Sequence, residues 1–324
     1  MHGFFRMQAP GDPEVLEFSA AEPQAPVAGQ VLVRHTAVGL NYIDTYHRSG
    51  LYPLPLPTRL GVEAVGVVEA VGDGVTDLRV GTRVAYAGAL GAYGTWNLVP
   101  AGRLVPLPEG ISDDVAAASL LKGLTTAYLL TRTFVLGRHH TALVHAAAGG
   151  VGLILCQWGR HIGATLIATA GSDEKTALAV ENGATHAVNY RTEDVVARVR
   201  ELTGGAGVDV SYDSVGQASF DWSMNALKPL GMFISYGNAS GSAPPVDPQI
   251  LQDKGSLFFT RPTLATYTAA RSDLLALADA FFSLVTDNVI KIHINQRYPL
   301  SELVQAHRDL EARKTTGSTI LLPG

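Results

Sequence analysis

The stretch that decides the fold is HTALVHAAAGGVGLILCQWG, residues 140–159. TALVHA is short and mostly apolar, as in a buried strand, and the apolar run that follows is long enough for a buried helix. Between them, AAAGGVG nearly matches the G-x-G-x-x-G loop of dinucleotide-binding proteins, with Ala147 in place of the first glycine. Gly149 and Gly152 fill the positions that let a pyrophosphate approach the backbone and let the helix pack close to the strand. Alone, the motif fits either a phosphate-binding loop or a plain strand–helix turn.

The segments after this loop favour the first interpretation. Strand-like and helix-like runs alternate up to about residue 265, the strands being TALVHA, TLIATA, THAVNY, VDVSYD, GMFISYG and SLFFTR. The helices between them are VGLILCQWGRHIG, DEKTALAVENG, EDVVARVRELTG and SFDWSMNALK. This alternation predicts an α/β fold with a doubly wound parallel sheet of the Rossmann type. In that setting, a glycine loop after the first strand indicates a nucleotide cofactor.

The two ends of the chain differ from this middle segment. The first 120 or so residues contain short β-branched runs separated by Gly, Pro and Asp, followed by a helix that Ser112 can cap. From about Thr266 the chain contains helix- and strand-like stretches that resemble the first part more than the middle. We therefore predict a β-rich domain, 1–122 and 266–324, interrupted by a nucleotide-binding domain, 123–265, with the active site in the cleft between them.

Composition restricts the partners and the compartment. The chain has 324 residues, a net charge of −5 and a pI of about 6.0, which does not favour nucleic acid or an anionic membrane as a partner. No apolar run approaches the roughly 18 residues that span a bilayer. The N-terminal residues lack the pattern of a secretory signal, and the single cysteine, Cys156, cannot form a disulfide within the chain. We expect a cytoplasmic protein without membrane insertion.

The end of the second predicted strand indicates which nucleotide binds. An NAD site usually has an acidic residue there, about 20 residues after the glycine loop, to bind the ribose 2′-hydroxyl. Here the strand ends in ATAGS, and Ser172 and Lys175 stand at the start of the next helix, where they can hold a 2′-phosphate. The alternative is that Ser172 only caps the helix and Lys175 is a solvated lysine. Asp173 and Glu174 oppose a phosphate if they point inward. The pattern favours NADPH.

A metal site is not expected from the ligand inventory. Zinc requires clustered cysteine, histidine or carboxylate ligands. Cys156 lies inside a predicted helix, no CxxC pair exists, and the ten histidines are scattered apart from the pair at 139–140.

Seven motifs together carry a family resemblance: GLNYIDTYHRSGLY, LGVEAVGVVEAVG, LLKGLTTAYLL, HAAAGGVG, YDSVG, YGNASG and FFTRP. From about residue 11 to the C-terminus, the chain resembles the zinc-independent quinone oxidoreductases, the zeta-crystallin-like branch of the medium-chain dehydrogenase/reductase superfamily. Zinc-dependent relatives have a cysteine near Asn41 and a histidine before Glu63, where this sequence has Asn41 and Val62. The resemblance implies a GroES-like catalytic domain plus a Rossmann domain, NADPH as cofactor and, commonly, a homodimer.

The resemblance also implies a set of site residues. Those near the nicotinamide are Asn41, Ile43, Asp44, Tyr46, Thr125 and Tyr128. The pyrophosphate falls to Gly149, Gly150 and Val151, and the 2′-phosphate to Ser172, Lys175 and Tyr190. The rest of the site is lined by Ser214, Tyr236, Asn238, Ser240, Arg261 and Ser318. Close relatives often have phenylalanine where Tyr236 stands, and a tyrosine should stack similarly.

The implied reaction is hydride transfer from NADPH to a quinone. Negative charge develops on the quinone oxygen, so the site needs hydrogen-bond donors, for which Tyr46, Tyr52 and Asn41 are the candidates. Each tyrosine can instead be an aromatic packed at the mouth of the cleft, and Asn41 can instead hold the loop or the cofactor amide. Cofactor motifs do not distinguish a quinone from the activated double bond of an enone or enal. An RNA-binding or structural crystallin-like role is disfavoured by the negative charge and the lack of an RNA-binding motif.

Overall fold

A computed structural model describes residues 2–324 and divides them by their contacts into two units. The β-rich unit contains the residues up to 124 together with 268–286 and 292–324. The parallel-sheet unit contains residues 125–267 and 287–291. Within the described residues, no helix combines the length and apolar character needed to cross a membrane.

The secondary-structure elements follow the chain in this order. The strands are β1 (Gly3–Met7), β2 (Glu17–Ala20), β3 (Gln30–Leu40), β4 (Thr58–Arg59), β5 (Glu63–Val71), β6 (Arg83–Ala87), β7 (Trp96–Pro100), β8 (Val105–Pro106), β9 (Thr141–Val144), β10 (Thr165–Ala170), β11 (His186–Asn189), β12 (Val208–Asp213), β13 (Leu227–Ser235), β14 (Phe258–Thr260), β15 (Ile294–Pro299) and β16 (Ser318–Leu322). The helices are α1 (Tyr42–Ser49), α2 (Asp113–Tyr128), α3 (Gly150–Ile162), α4 (Asp173–Glu181), α5 (Val195–Leu202), α6 (Phe220–Ala226), α7 (Pro248–Asp253), α8 (Leu264–Tyr267), α9 (Arg271–Thr286) and α10 (Leu303–Glu311).

The β-rich unit is organised around β3. This strand pairs antiparallel with β5, β7 and β16 in a seven-stranded sheet, in which six strands have the order β15-β16-β3-β5-β6-β8 and β7 pairs with β3 outside this order. A smaller sheet has the order β2-β1-β4. Alternate apolar side chains of β3 and β5 enter a core that also contains Tyr86, Tyr93 and Leu303. Because β3 ends at Leu40, it delivers Asn41 directly to the start of α1, and Gly50 ends that helix at a φ of 82°.

The parallel-sheet unit confirms the predicted Rossmann-type fold. Its strands lie in the order β11-β10-β9-β12-β13-β14, and every pair is parallel. The chain leaves β9 first towards β10 and β11 and later returns to β12, so the order reverses beside β9. Ligands of open α/β sheets bind at the carboxyl ends of the strands where the order reverses, and the glycine loop follows β9 at that point.

One detail of the parallel-sheet unit differs from the sequence prediction. The helix predicted over SFDWSMNALK ends at Ala226, and β13 already begins at Leu227. Pro229 disfavours helical backbone in the residue before it, which explains the early end. The predicted strands GMFISYG and SLFFTR correspond to β13 and β14, and β13 lies between β12 and β14. β14 is one of the two edge strands of this sheet, and its Phe258 is 55% exposed.

Candidate active site

The glycine loop has the geometry of a close strand–helix junction. Gly149 is the N-cap of α3, and its N–H donates to Ala146 O at 3.0 Å. A Cβ on Gly152 would lie 2.5 Å from Ala146 O and 2.6 Å from Ala147 Cα, so this position needs glycine. Ala146, not Ala147, takes the positive φ of the turn, at 50°. The alanine at the first position of the motif is therefore compatible with the loop, because it is buried in ordinary backbone conformation.

The predicted 2′-phosphate residues lie near one another at the carboxyl ends of β10 and β11. Ser172 is the N-cap of α4, and its Oγ accepts the Lys175 backbone N–H at 3.3 Å. The hydroxyl of Tyr190 lies close to Gly171, where an added Cβ would be 2.5 Å from Tyr190 Oη. Ser172 thus has the capping role considered as its alternative, which leaves its hydroxyl free to donate.

The acidic pair beside these residues is exposed to solvent. The carboxylate of Asp173 accepts a hydrogen bond from Asn189 Nδ2 at 2.7 Å. This contact ties the start of α4 to the end of β11. The sequence left open whether these acids point inward, and their exposure removes that objection to a phosphate group.

A buried carboxylate, Asp213, organises the loop after β12. It accepts the backbone N–H groups of Val215 and Gly216 at 2.7 and 3.0 Å. It also accepts the hydroxyls of Ser219 and Ser223 at 2.7 and 2.6 Å. These four donors satisfy the buried carboxylate, and among the described residues no cation is in hydrogen-bond contact with it.

His145 links this carboxylate to the glycine loop. Its two ring nitrogens lie 2.9 Å from Thr169 Oγ1 and 3.0 Å from Ser223 Oγ. Because Ser223 uses its single proton on Asp213, His145 Nε2–H must donate to Ser223, and Nδ1 accepts from Thr169. Burial lowers the pKa of His145, which keeps the ring neutral. The cluster of Asp213, Ser219, Ser223, His145 and Thr169, here called the aspartate cluster, connects the carboxyl ends of β9, β10 and β12.

The other predicted cofactor residues of this unit follow β12 and β13 or lie on α2. Ser240 Oγ donates to Val215 O at 2.8 Å and accepts from Ala218 N–H at 2.9 Å. Arg261 Nη1 donates to Ser235 O at 2.8 Å. The ring of Tyr128 stacks on Tyr267 with centroids 4.5 Å apart. Residues whose backbone lies in the same strand-end loops or helix are Ser214, Tyr236, Asn238 and Thr125.

In the β-rich unit, Asn41 lies at the centre of a buried group of charges. Its side-chain Nδ2 donates to Glu63 Oε2 at 2.7 Å, and its Oδ1 accepts from Lys122 Nζ at 2.8 Å. Lys122 Nζ and Glu63 Oε2 are 3.6 Å apart, and Glu63 Oε1 accepts the backbone N–H of Leu121 at 2.6 Å. Burial raises the pKa of Glu63, while the Lys122 ammonium opposes that shift. We call Asn41, Glu63 and Lys122 the lysine cluster.

A second chain of contacts extends from Asn41 to the C-terminal helix. Asp44 Oδ2 accepts the Asn41 backbone N–H at 2.9 Å and the Tyr93 hydroxyl at 2.7 Å. His307 Nε2 lies 3.1 Å from Tyr93 Oη, and its Nδ1 accepts from Arg48 at 3.3 Å. Burial raises the pKa of Asp44 to about 7 and lowers that of His307 to about 3. The first turn of α1 is thereby held by a directed series of hydrogen bonds.

The two candidate tyrosines pack against each other. The rings of Tyr46 and Tyr52 meet edge to face with centroids 5.1 Å apart, and Tyr52 N–H donates to Tyr46 O at 3.0 Å. Tyr46 is 8% exposed, whereas Tyr52 is half-buried. Ile43 is half-buried in the first turn of α1, and Ser318 is buried at the start of β16. Of the two hydroxyl donors, Tyr52 is the more accessible in this unit.

Several residues of these networks were not singled out from the sequence: Glu63, Lys122, Asp213, Tyr93, His307 and Arg48. A signal was available for two of them. Glu63 interrupts the apolar run LGVEAVGVV, and Lys122 interrupts the apolar run AAASLLKGL. A lone charge within a buried element requires a partner, and these two have opposite signs.

The described residues contain no group of three or more histidine, cysteine or carboxylate side chains placed to hold a metal ion. Cys156 is buried in α3, and burial raises the pKa of its thiol to about 12. This places the thiol among apolar neighbours, as the sequence predicted.

Comparison with protein families gives two matches that follow one another along the chain. Residues 27–109 match the alcohol dehydrogenase GroES-like domain, and residues 150–279 match the zinc-binding dehydrogenase family. The first match lies in the β-rich unit, and most of the second lies in the parallel-sheet unit.

Individual relatives match over nearly the whole chain. A quinone oxidoreductase of Pseudomonas aeruginosa is 51% identical over 315 residues, covering 97% of each chain. A 2-haloacrylate reductase of a Burkholderia species is 43% identical over 324 residues, covering 97% of this chain and 96% of the relative. The crystal structure of Escherichia coli quinone oxidoreductase complexed with NADPH superposes with a TM-score of 0.97 at 45% identity, over 99% of this chain and all of the other.

Proposed function

We propose that this chain, which belongs to the quinone oxidoreductase family of the medium-chain dehydrogenase/reductase superfamily, reduces quinones with NADPH and without a metal ion. The observation that carries the proposal is the glycine loop. Gly152 leaves no room for a side chain, and the loop lies where the strand order of the sheet reverses. Relatives named quinone oxidoreductase, one of them solved with NADPH, support the choice of reaction.

The cofactor would be held by three groups of residues in the parallel-sheet unit. Gly149 lets the pyrophosphate approach the backbone, and Gly150 and Val151 present their backbone N–H groups at the start of α3, where the helix dipole favours a pyrophosphate. Ser172, Lys175 and Tyr190 receive the 2′-phosphate. Further contacts come from Ser214, Tyr236, Asn238, Ser240, Arg261, Thr125 and Tyr128. When bound, NADPH supplies a hydride.

The β-rich unit would supply the donors for the acceptor. Reduction of a quinone places negative charge on its oxygen, and a donor fixed in advance stabilises that charge without reorganisation. The Asn41 amide and the Tyr46 and Tyr52 hydroxyls are the proposed donors, with Ile43, Asp44 and Ser318 completing this side. Because the charge is met by hydrogen bonds, no metal ion is needed in this proposal.

The second candidate reaction is reduction of an activated carbon–carbon double bond. It is favoured by the 43% identity to a 2-haloacrylate reductase. NADPH oxidation measured with 1,4-naphthoquinone and with an alkenone, before and after exhaustive chelation, tests both proposals. We expect turnover of the quinone that chelation does not change. Turnover of the alkenone alone would assign the second reaction, and loss of activity restored by zinc would reject the metal-free proposal.

Replacing Lys175 tests the cofactor preference. Lys175→Ala removes the proposed charge partner of the 2′-phosphate, so it should weaken NADPH binding by about 1–3 kcal/mol, the range of a charge-assisted hydrogen bond. NADH binding should change little, because NADH lacks that phosphate. Titration of cofactor fluorescence measures both affinities, with Lys314→Ala in the β-rich unit as a control. Equal losses for the two cofactors would exclude the phosphate contact.

A homodimer located in the cytoplasm completes the proposal. β14 is an edge strand and exposes Phe258, so it is the place where a second copy can extend the parallel sheet. Sedimentation of wild type and of Thr260→Pro tests this. We expect a dimer that the proline converts to a monomer.

A further inference from the structure

We propose that Lys122 is a positioning residue that orients the side-chain amide of Asn41 so that one of its N–H bonds is offered to the acceptor. The inference rests on the proposed function and adds a residue to it. The side chains of Lys122 and Glu63 are 8% and 0% exposed, and both contact the neutral amide of Asn41.

The chemistry of the two neighbours fixes which way the amide faces. An ammonium group only donates hydrogen bonds, and an ionised carboxylate only accepts them. The amide oxygen must therefore face Lys122 Nζ, at 2.8 Å, and the amide nitrogen must face Glu63 Oε2, at 2.7 Å. With the amide turned over, two donors would face each other at one end and two acceptors at the other.

This orientation leaves one donor of Asn41 available for a ligand. The amide nitrogen carries two hydrogens, and one donates to Glu63. The backbone N–H of Asn41 is already bound to Asp44 Oδ2 at 2.9 Å, and the amide oxygen is bound to Lys122. The second hydrogen of Nδ2 is thus the group that Asn41 can offer to a carbonyl oxygen.

Glu63 alone would not impose this orientation. Its two oxygens are placed by Asn41 and by the backbone N–H of Leu121, the residue before Lys122 on α2. Without the ammonium, the amide oxygen loses its donor, and both N–H bonds of the amide become free to turn towards the carboxylate. The available donor is then lost even though Asn41 and Glu63 remain.

A double-mutant cycle between Lys122 and Asn41 tests this coupling. Lys122→Met should lower kcat for 1,4-naphthoquinone roughly ten- to hundredfold, as for loss of a charged hydrogen bond. In the Asn41→Ala background, the same substitution should change kcat by no more than about twofold. A similar loss in both backgrounds would overturn the proposal, since Lys122 would then act independently of Asn41. Lys228→Met, which removes a lysine paired with Asp209 on the other unit, is the control and should leave kcat unchanged.

A spectroscopic measurement keeps the proposal testable apart from turnover. In protein labelled with ¹⁵N-asparagine, the side-chain amide signals of Asn41 are identified by their disappearance in Asn41→Ala. We expect Lys122→Gln, which keeps a neutral donor, to shift both amide protons less than Lys122→Met does. Unchanged signals in folded Lys122→Met would overturn the proposal. If wild type reduces no quinone but the amide signals respond as expected, the proposed function fails while the positioning role stands.

Discussion

The two units satisfy their buried carboxylates with different kinds of partner. In the lysine cluster, one cation and one carboxylate share a single neutral amide. In the aspartate cluster, one carboxylate is satisfied by two backbone N–H groups and two hydroxyls. The first arrangement depends on each charged member, because removal of either takes away the opposite charge that is buried beside the other. The second spreads the same task over four neutral donors, so that loss of one leaves three.

The aspartate cluster and the lysine cluster suit different chemical tasks. The neutral donors of the aspartate cluster hold the strand ends and the glycine loop in a fixed geometry, and a cofactor site requires such a geometry. A shared charge pair polarises the amide between its members. The lysine cluster, which depends on each charged member, contains the proposed donor Asn41. The aspartate cluster, which tolerates the loss of one donor, adjoins the glycine loop.

The largest predicted effect is the loss of folding stability when the lysine cluster is broken. Lys122→Met should lower the free energy of unfolding by about 3–5 kcal/mol at pH 8, the usual cost of leaving a buried charge unpaired. The loss should become smaller as the pH falls, because the pKa of Glu63 is raised by burial and the Lys122 ammonium no longer opposes that shift, so the carboxyl takes up a proton more readily. Urea denaturation of wild type, Lys122→Met and the surface control Lys228→Met provides the measurement. A loss no larger than that of the control would remove the contrast between the clusters.

A smaller effect is expected from the pH dependence of Asp44. Burial raises its pKa to about 7, opposed by its hydrogen bond from Tyr93, whereas the unfolded chain releases this proton near 3.8. Between these values the native state binds more protons, so the Asp44 contribution to stability decreases as the pH rises. We expect the unfolding free energy of wild type relative to Asp44→Asn to fall by roughly 2 kcal/mol between pH 5 and 7.

The comparison with Asp44→Asn is needed because His307 titrates in the opposite sense. Its pKa is lowered to about 3, so its contribution is lost as the pH falls from 6.5. Both chains retain His307, and the difference between them isolates Asp44. A constant difference from pH 5 to 7 would show that Asp44 is ionised throughout, as an acid with an ordinary pKa would be.

The smallest effect belongs to the aspartate cluster. Ser223→Ala removes one of four donors to Asp213 and should cost about 1 kcal/mol, the net worth of a typical hydrogen bond. Ser219→Ala, which leaves the His145 contact intact, is the matched control and should cost about the same. Urea denaturation measures both. A loss from Ser223→Ala comparable to that of Lys122→Met would mean that the four donors act as one unit.

Local patterns in the sequence predicted most of the parallel-sheet unit, because each of its strands and helices has its own hydrophobic period and its own turn residues. The glycine loop was found for the same reason, since its residues are contiguous. The end of α6 was misplaced because Pro229 outweighs the helical pattern before it. The predicted site residues remain predictions, although the structure places Ser172, Lys175 and Tyr190 near one another.

The networks around Asn41 could not be predicted because their members are far apart in the chain. Asn41 is 22 residues from Glu63 and 81 from Lys122, and Tyr93 is 214 from His307. A single charge in an apolar run reveals that a partner exists and does not reveal which one. The pairing of β3 with β5 places Glu63 opposite Gly39, and the contact with Lys122 also requires α2 to pack beside these strands.

The ion pair between Arg48 and Glu311, at 2.6 and 2.8 Å, bears on the order in which the protein folds during synthesis. Arg48 is 2% exposed, and β3 pairs with β16 at Leu40, immediately before α1. The ribosome synthesises all residues of the parallel-sheet unit before it makes α10 and β16. The contacts that join Arg48 to α10 and β3 to β16 therefore form only after every residue of the cofactor-binding unit has been translated.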